Sequence, residues 1–175
     1  MRSSDTDANQ FGTLFIDTTI TRYTRAEWDL LVRLPGRMVA AATSDDDAGA
    51  QQSMIEALAG LNAIAAGRGS ANALVRQVVG TIYAEPDIDS PSTRGAGGAD
   101  ESAGFLAIVA ACRQAAAILA KHGSRADRLA YEKWLESIAT GVCDAVSPLT
   151  GDIGTIMMRM ATERYLLAEL ADAFR

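Results

Sequence analysis

Apolar residues recur at helical spacing along most of the chain. After Thr24 they are separated by one, three or four positions, as in Trp28, Leu31, Val32, Pro35, Met38 and Val39. Five later segments repeat this spacing, which places apolar side chains on one face of a helix. The pattern predicts an all-α protein, a bundle of about six helices.

Start and stop signals divide the chain into these helices. Thr24 with Glu27, and Ser124 with Asp127, have the spacing of a capping box. We predict the second helix from about Asp46 to Ala66, and the third from Ser70. The predicted inward faces of the five later helices are Met54, Leu58, Leu61 and Ala65; Leu74, Val75, Val78 and Ile82; Phe105, Ile108, Val109, Cys112, Ala116 and Leu119; Leu129, Leu135, Ile138 and Val142; and Met160, Leu166, Leu167, Leu170 and Phe174.

A proline interrupts the first predicted helix. Pro35 has no amide proton to donate within the helix, and its ring crowds the preceding turn. Gly36, which follows it, is also a poor helix former. We therefore expect a kink or a restart near Leu34.

Two segments do not have a helical pattern. Residues 1–23 are predicted to be a tail and an extended arm, in which Leu14, Ile16 and Ile20 lie at alternating, strand-like positions. Residues 86–99 are rich in Pro, Gly, Ser and Asp, which predicts a flexible loop. We expect a single helical domain over residues 24–175, with hairpin-like halves at 24–85 and 100–175. The arm is expected to lie on the bundle or to reach a neighbouring subunit.

Charge and hydropathy limit the classes of partner. The formal net charge is -6, and there is no cluster of Lys and Arg, so the protein is not expected to bind nucleic acid. No apolar run approaches the ~18 residues that a membrane span needs. We expect a soluble cytoplasmic protein that does not enter a membrane.

The residues that usually carry out catalysis are scarce. The chain has one histidine and two cysteines, which cannot supply a di-iron or zinc cluster in a bundle. Cys112 and Cys143 are expected to be buried and unbonded to each other, and His122 to lie at a helix C-terminus, where it favours the helix dipole. We expect no enzyme activity and no cofactor.

Three consecutive acids, Asp45, Asp46 and Asp47, have two interpretations. They follow Ser44 at the start of the second predicted helix, where a cap and first-turn carboxylates stabilise the helix. Aspartates are also suitable calcium ligands, but the spacing matches only part of an EF-hand loop. Both capping and calcium or other divalent-ion binding remain open.

A longer stretch of sequence resembles known proteins. The run LPGRMVAAATSDDD (34–47), with YEKWLESIATGV (131–142) and ATERYLLAELADAF (161–174), resembles an uncharacterised family of small all-helical bacterial proteins. An alanine-rich helix leading into an acidic turn is more remotely similar to the TerB-like domains of tellurite resistance. That resemblance implies metal binding by Asp45, Asp46 and Asp47, although Gln51 and Gln52 stand where a glutamate would be expected.

Two functions follow as hypotheses. The first is a non-catalytic interaction or scaffold protein, self-associating through Leu14, Ile16 and Ile20 or bound to another protein. The alternative is a TerB-like module that binds a ligand or divalent ion with Asp45–Asp47 and the loop acids Asp87 and Asp89.

Thermal melting with and without calcium separates the two interpretations of the acidic triplet. If the triplet binds the ion, millimolar calcium raises the melting temperature by mass action, and the double variant Asp45→Ala, Asp47→Ala loses that rise. If the triplet only caps the helix, calcium changes nothing and the double variant melts lower with or without the ion.

Overall fold

A computed structural model of the protein describes residues 22–42, 50–84, 101–145, 164–165, 167–172 and 174. The predicted arm with Leu14, Ile16 and Ile20, and the predicted loop at 86–99, lie outside these residues. So do Met160 and Leu166 of the last predicted helix, and the side chain of Phe105.

Every described element is a helix, which confirms the predicted all-α fold. A 3-10 turn over Gly67–Gly69 follows the second helix, and residues 164–165 and 167–172 form part of a sixth. The five fully described helices are α1 (Arg25–Ala42), α2 (Ala50–Ala66), α3 (Ala73–Ala84), α4 (Glu101–His122) and α5 (Arg125–Asp144).

Two helices, α1 and α5, form the centre of the bundle. Each packs against the other and against α2, α3 and α4. The strongest pairings, α2 with α5 and α1 with α4, join the two halves of the sequence. The halves therefore share one core, and that core continues to Leu170 and Phe174 near the C-terminus.

Of the kink or restart expected near Leu34, the restart is wrong, because α1 runs through Pro35 as one helix. The carbonyl of Leu31, four residues earlier, cannot receive its usual helical hydrogen bond, because proline has no amide proton. The hydroxyl of Tyr131 on α5 donates to this carbonyl at 2.7 Å. Both residues are fully buried, so a side chain from α5 replaces the missing donor inside the core.

Two of the helix starts are confirmed and one is shifted. The backbone amide of Glu27 donates to Thr24 Oγ1 at 3.3 Å, and Thr24 N donates to Glu27 Oε2 at 2.8 Å. Ser124 and Asp127 form the same reciprocal capping box. The third helix begins at Ala73, however, because Asn72 Oδ1 accepts from Val75 N and caps it, so the prediction that it starts at Ser70 is wrong.

The predicted inward faces of α3, α4 and most of α5 are confirmed, with Ile82 and Leu167 packed at the edge of the core. On α5, Leu135, Ile138 and Val142 are buried, but Leu129 is 42% exposed and was wrongly placed in the core.

The predicted inward face of α2 is wrong. Met54, Leu58 and Leu61 are exposed and Ala65 is only partly buried. The buried positions of this segment are Glu56, Gly60, Ile64 and Gly67. The two sets lie on opposite sides of the helix.

Close approach of the backbone explains why α2 turns its large side chains outward. A Cβ atom at Gly60 would come within 2.5 Å of Val39 on α1 and 2.9 Å of Val142 on α5. One at Gly67 would come within 2.6 Å of Trp134. Glycines therefore let α2 lie where leucines on the same side would not fit.

The bond from Tyr131 to Leu31 can be tested with a double-mutant cycle. Tyr131→Phe removes the hydroxyl and leaves a buried carbonyl without a donor, so we expect a loss of about 1–3 kcal/mol in the free energy of unfolding. In a Pro35→Ala background the helix regains its own donor, and the same change should cost clearly less. Equal costs in both backgrounds, measured by urea unfolding, would contradict this role.

The packing of α2 predicts opposite effects of the same substitution at two helical glycines. Gly60→Ala should destabilise the protein by about 1–3 kcal/mol, because stiff valine side chains surround the site. Gly80→Ala on α3, where a Cβ would meet nothing within 4 Å, should stabilise it by about 0.5–1 kcal/mol. Thermal or urea unfolding of both variants gives the comparison.

Candidate functional site

The outer side of α2 carries the largest set of exposed apolar side chains on any one described helix. Met54 is 66% exposed, Ile55 43%, Leu58 55% and Leu61 50%. Their spacing of one, three and three residues places them on one side of the helix, and we call them the α2 face. Other large exposed apolar residues in the described part of the chain, such as Tyr83, Leu106 and Leu129, occur singly on other helices.

The α2 face is also free of charge. The helix has one charged residue, Glu56, and that side chain is buried. Gln52 Nε2 donates to Glu56 Oε1 at 3.0 Å and to the carbonyl of Ala145 beyond the end of α5 at 3.2 Å, which holds the carboxylate against the bundle. A helix with no exposed charge is unusual in a chain in which 22% of residues are charged. Depletion of charge is typical of the centre of protein interfaces.

The bundle holds the α2 face in a fixed position. Trp134 of α5 donates from its indole nitrogen to the carbonyl of Ala63 at 3.3 Å, and the same indole packs over Gly67. On the next turns of α5 a Cβ at Gly141 would lie 3.4 Å from Ala63. The helix that carries the α2 face therefore packs closely against α5. Because its position is fixed before any partner binds, the face is suited to be a preformed binding surface.

A cluster of polar side chains lies at one end of the bundle. His122 Nε2 lies 3.2 Å from Glu27 Oε1, and since a carboxylate can only accept, this nitrogen carries the proton. The imidazole ring meets the ring of Tyr23 edge to face at a centroid distance of 5.8 Å. Hydrogen bonds from Thr24 and the interaction with His122 lower the pKa of Glu27. The predicted position of His122 in the last turn of α4 is confirmed, and its contact joins α4 to the start of α1.

A second carboxylate in this cluster joins α3 to α5. Asn72 Nδ2 donates to Asp127 Oδ1 at 2.8 Å, and Ser124 donates to Oδ2 from its amide and hydroxyl. Burial alone would raise the pKa of Asp127, but these hydrogen bonds outweigh it and the pKa is lowered. Glu27 and Asp127 thus each cap the start of a helix and bind a side chain from another part of the bundle.

A shallow cleft of about 380 Å³ lies between α5 and the segment that joins α2 to α3. Its polar groups are those of Ser70, Asn72, Lys133 and Ser137, and the indole of Trp134 forms part of its wall. Among the described residues that line it, Lys133 is the one titratable side chain.

Neither cysteine forms a disulfide, as expected. Cys112 is buried, and desolvation raises its pKa to about 12. A thiol that stays protonated at neutral pH is a poor nucleophile. Cys143, predicted to be buried, is only partly so.

The predicted metal ligands are not in the part of the chain that the structure describes. Asp45, Asp46 and Asp47, like Asp87 and Asp89, are outside the described residues. Within the described ranges, no group of three or more His, Cys, Asp or Glu side chains is arranged to hold a metal ion. None of the helices found there has the length and apolar content to cross a membrane.

Comparison with known proteins adds no relative. No family model matches the chain, and neither a characterised protein nor a solved structure is significantly similar to it.

Three residues of the α2 face, Met54, Leu58 and Leu61, belong to the predicted core, so the apolar pattern does not identify them as a surface. The available signal was the second stripe of the same helix. Gly60, Ile64 and Gly67 recur at helical spacing beside α2's single charge, Glu56. Small residues at such spacing mark a side on which helices approach closely, which leaves the larger residues to face outward.

Acid unfolding can test the lowered pKa of Asp127. A carboxyl group whose pKa is lowered in the folded state stabilises the fold above its unfolded pKa, and this contribution is lost as the pH falls through the folded pKa. Asp127→Asn should therefore be less stable than the native protein at pH 7, and the difference should shrink as the pH is lowered below about 4. Urea unfolding across this range measures it; a difference that is constant with pH would contradict the assignment.

Proposed function

We propose that the protein is a non-catalytic interaction or scaffold protein, and that the α2 face is where it binds its partner. The observation that carries this proposal is the group of four large apolar side chains on a helix with no exposed charge.

The size of the face supports binding of moderate strength. Its four side chains expose roughly 400 Å², a size at which an apolar patch often has a function. Complete burial at about 25 cal/mol per Å² would contribute about 10 kcal/mol, against an association cost of about 4–15 kcal/mol. The face can drive association, but a tight complex needs further contacts around it.

The shape of the face favours a helix as the binding element. Residues 54, 58 and 61 have the alternating four- and three-residue spacing of a helix-packing seam, into which side chains of a second helix can insert. An extended peptide would leave its backbone hydrogen-bonding groups without partners on a helix surface. The partner is therefore expected to present an amphipathic helix.

The polar residues of the bundle end support a structural rather than catalytic role. Glu27 and Asp127 both accept from the backbone amide of their N-cap residue, and each makes a bond to another helix. These contacts account for the carboxylates as parts of the scaffold.

Photo-crosslinking in the native cells tests the proposed surface. A photoreactive amino acid at position 58 should give an adduct of one discrete mass, and Leu61→Asp in the same chain should abolish it. The matched control is position 106 on α4, where the native leucine is 61% exposed but stands alone. Equal adducts at both positions, or none at position 58, would overturn the proposal.

A further inference from the structure

We infer that the partner of the α2 face is the α2 face of a second copy, with the two helices antiparallel about a twofold axis near Leu58. This inference rests on the proposed function, because it names the partner of the same surface.

The α2 face can pair with itself. In an antiparallel pair centred on Leu58, residues whose numbers sum to about 116 lie opposite each other. Leu58 then meets Leu58 of the other copy, and Met54 and Ile55 meet Leu61. Each large side chain of the face thus finds an apolar partner, as an isologous interface requires.

The absence of exposed charge on α2 is compatible with a second copy and disfavours a partner recognised by charge. Each copy has a formal net charge of -6, so two copies repel each other over most approaches. They can meet most easily through a surface without charge, and the exposed side of α2 has none. A basic partner would instead be recognised by exposed acids on the same helix, and α2 offers none.

The antiparallel direction follows from the ends of the helix. A parallel pair would bring the dipoles of the two helices into the same orientation and place the two Arg68 side chains at the same end of the interface. Arg68 is exposed just beyond α2 and lies over the ring of Tyr83, 3.9 Å from its centroid. The antiparallel pair keeps these like charges at opposite ends.

The area available sets the expected strength. Two copies of the face bury about 800 Å² of apolar side chain, and polar residues at the rim such as Gln51 and Asn62 bring the total toward the ~1,200 Å² at the lower end of specific interfaces. The dimer is therefore expected to dissociate in the micromolar range.

Sedimentation equilibrium from low to several hundred micromolar protein tests the dimer. The native chain should change from monomer to dimer over this range, and Leu58→Asp, which places two like charges at the axis, should weaken association ~100-fold or more. Leu106→Asp should leave association unchanged, and circular dichroism should show that both variants remain folded. A chain lacking residues 1–23 should still dimerise; a dimer that requires those residues and survives Leu58→Asp would overturn the inference.

Disulfide trapping tests the direction of the pair. Cys143→Ser removes the partly exposed thiol, and buried Cys112 is retained. In this background Leu58→Cys should form a disulfide dimer, and a mixture of Met54→Cys and Leu61→Cys chains should form the mixed dimer. Neither of the last two should link to itself, because self-pairs would be separated by about 9–12 Å along the axis. Self-linked dimers at 54 and 61, without the mixed one, would overturn the antiparallel geometry.

Sedimentation and photo-crosslinking together distinguish the second copy from the interaction surface. If the purified chain stays monomeric while position 58 still forms an adduct of another mass in cells, the second copy is excluded and the interaction surface stands. If neither a dimer nor an adduct forms, both proposals are wrong.

Discussion

The hydrogen bond from the Tyr131 hydroxyl to the Leu31 carbonyl is the contact on which the centre of the bundle depends. Pro35 removes a donor from a helix that lies in the core, and a buried carbonyl without a partner is costly. Tyr131 of α5 supplies the missing donor. Helix α5 must therefore keep its position and rotation relative to α1. Burial raises the pKa of Tyr131 well above its ordinary value, so its hydroxyl stays protonated and remains a donor.

The other helices are arranged around this fixed pair. Contacts between polar side chains at one end, from Glu27 to His122 and from Asp127 to Asn72, set where α4 and α3 meet the starts of α1 and α5. Gly60 and Gly67 set how closely α2 approaches. The bundle combines apolar packing in its middle with hydrogen-bonded helix ends, and α2 is the helix that contributes fewest large side chains to the middle.

Helix content, capping boxes and most inward faces could be predicted from the sequence because they depend on local spacing. Thr24 with Glu27 and Ser124 with Asp127 needed only the identity of residues three apart. The donor for Leu31 could not be found in this way, since Tyr131 lies 100 residues away. The side of α2 that faces the core depends on the distance between helices. Apolar periodicity alone does not predict that distance. That is why the predicted inward face wrongly includes Met54, Leu58 and Leu61 of the candidate surface.

The glycine-mediated docking of α2 also bears on local opening of the fold. Separating α2 from α1 and α5 uncovers Ile64 together with Val39, Val142 and Trp134, whereas displacing α1 or α5 breaks contacts with all the other fully described helices. The amide protons of α2 are accordingly expected to exchange with solvent faster than those of α1 and α5 in the isolated chain. Any partner that covers its outer side would slow that exchange, which links occupancy of the surface to the lifetime of the helix that carries it.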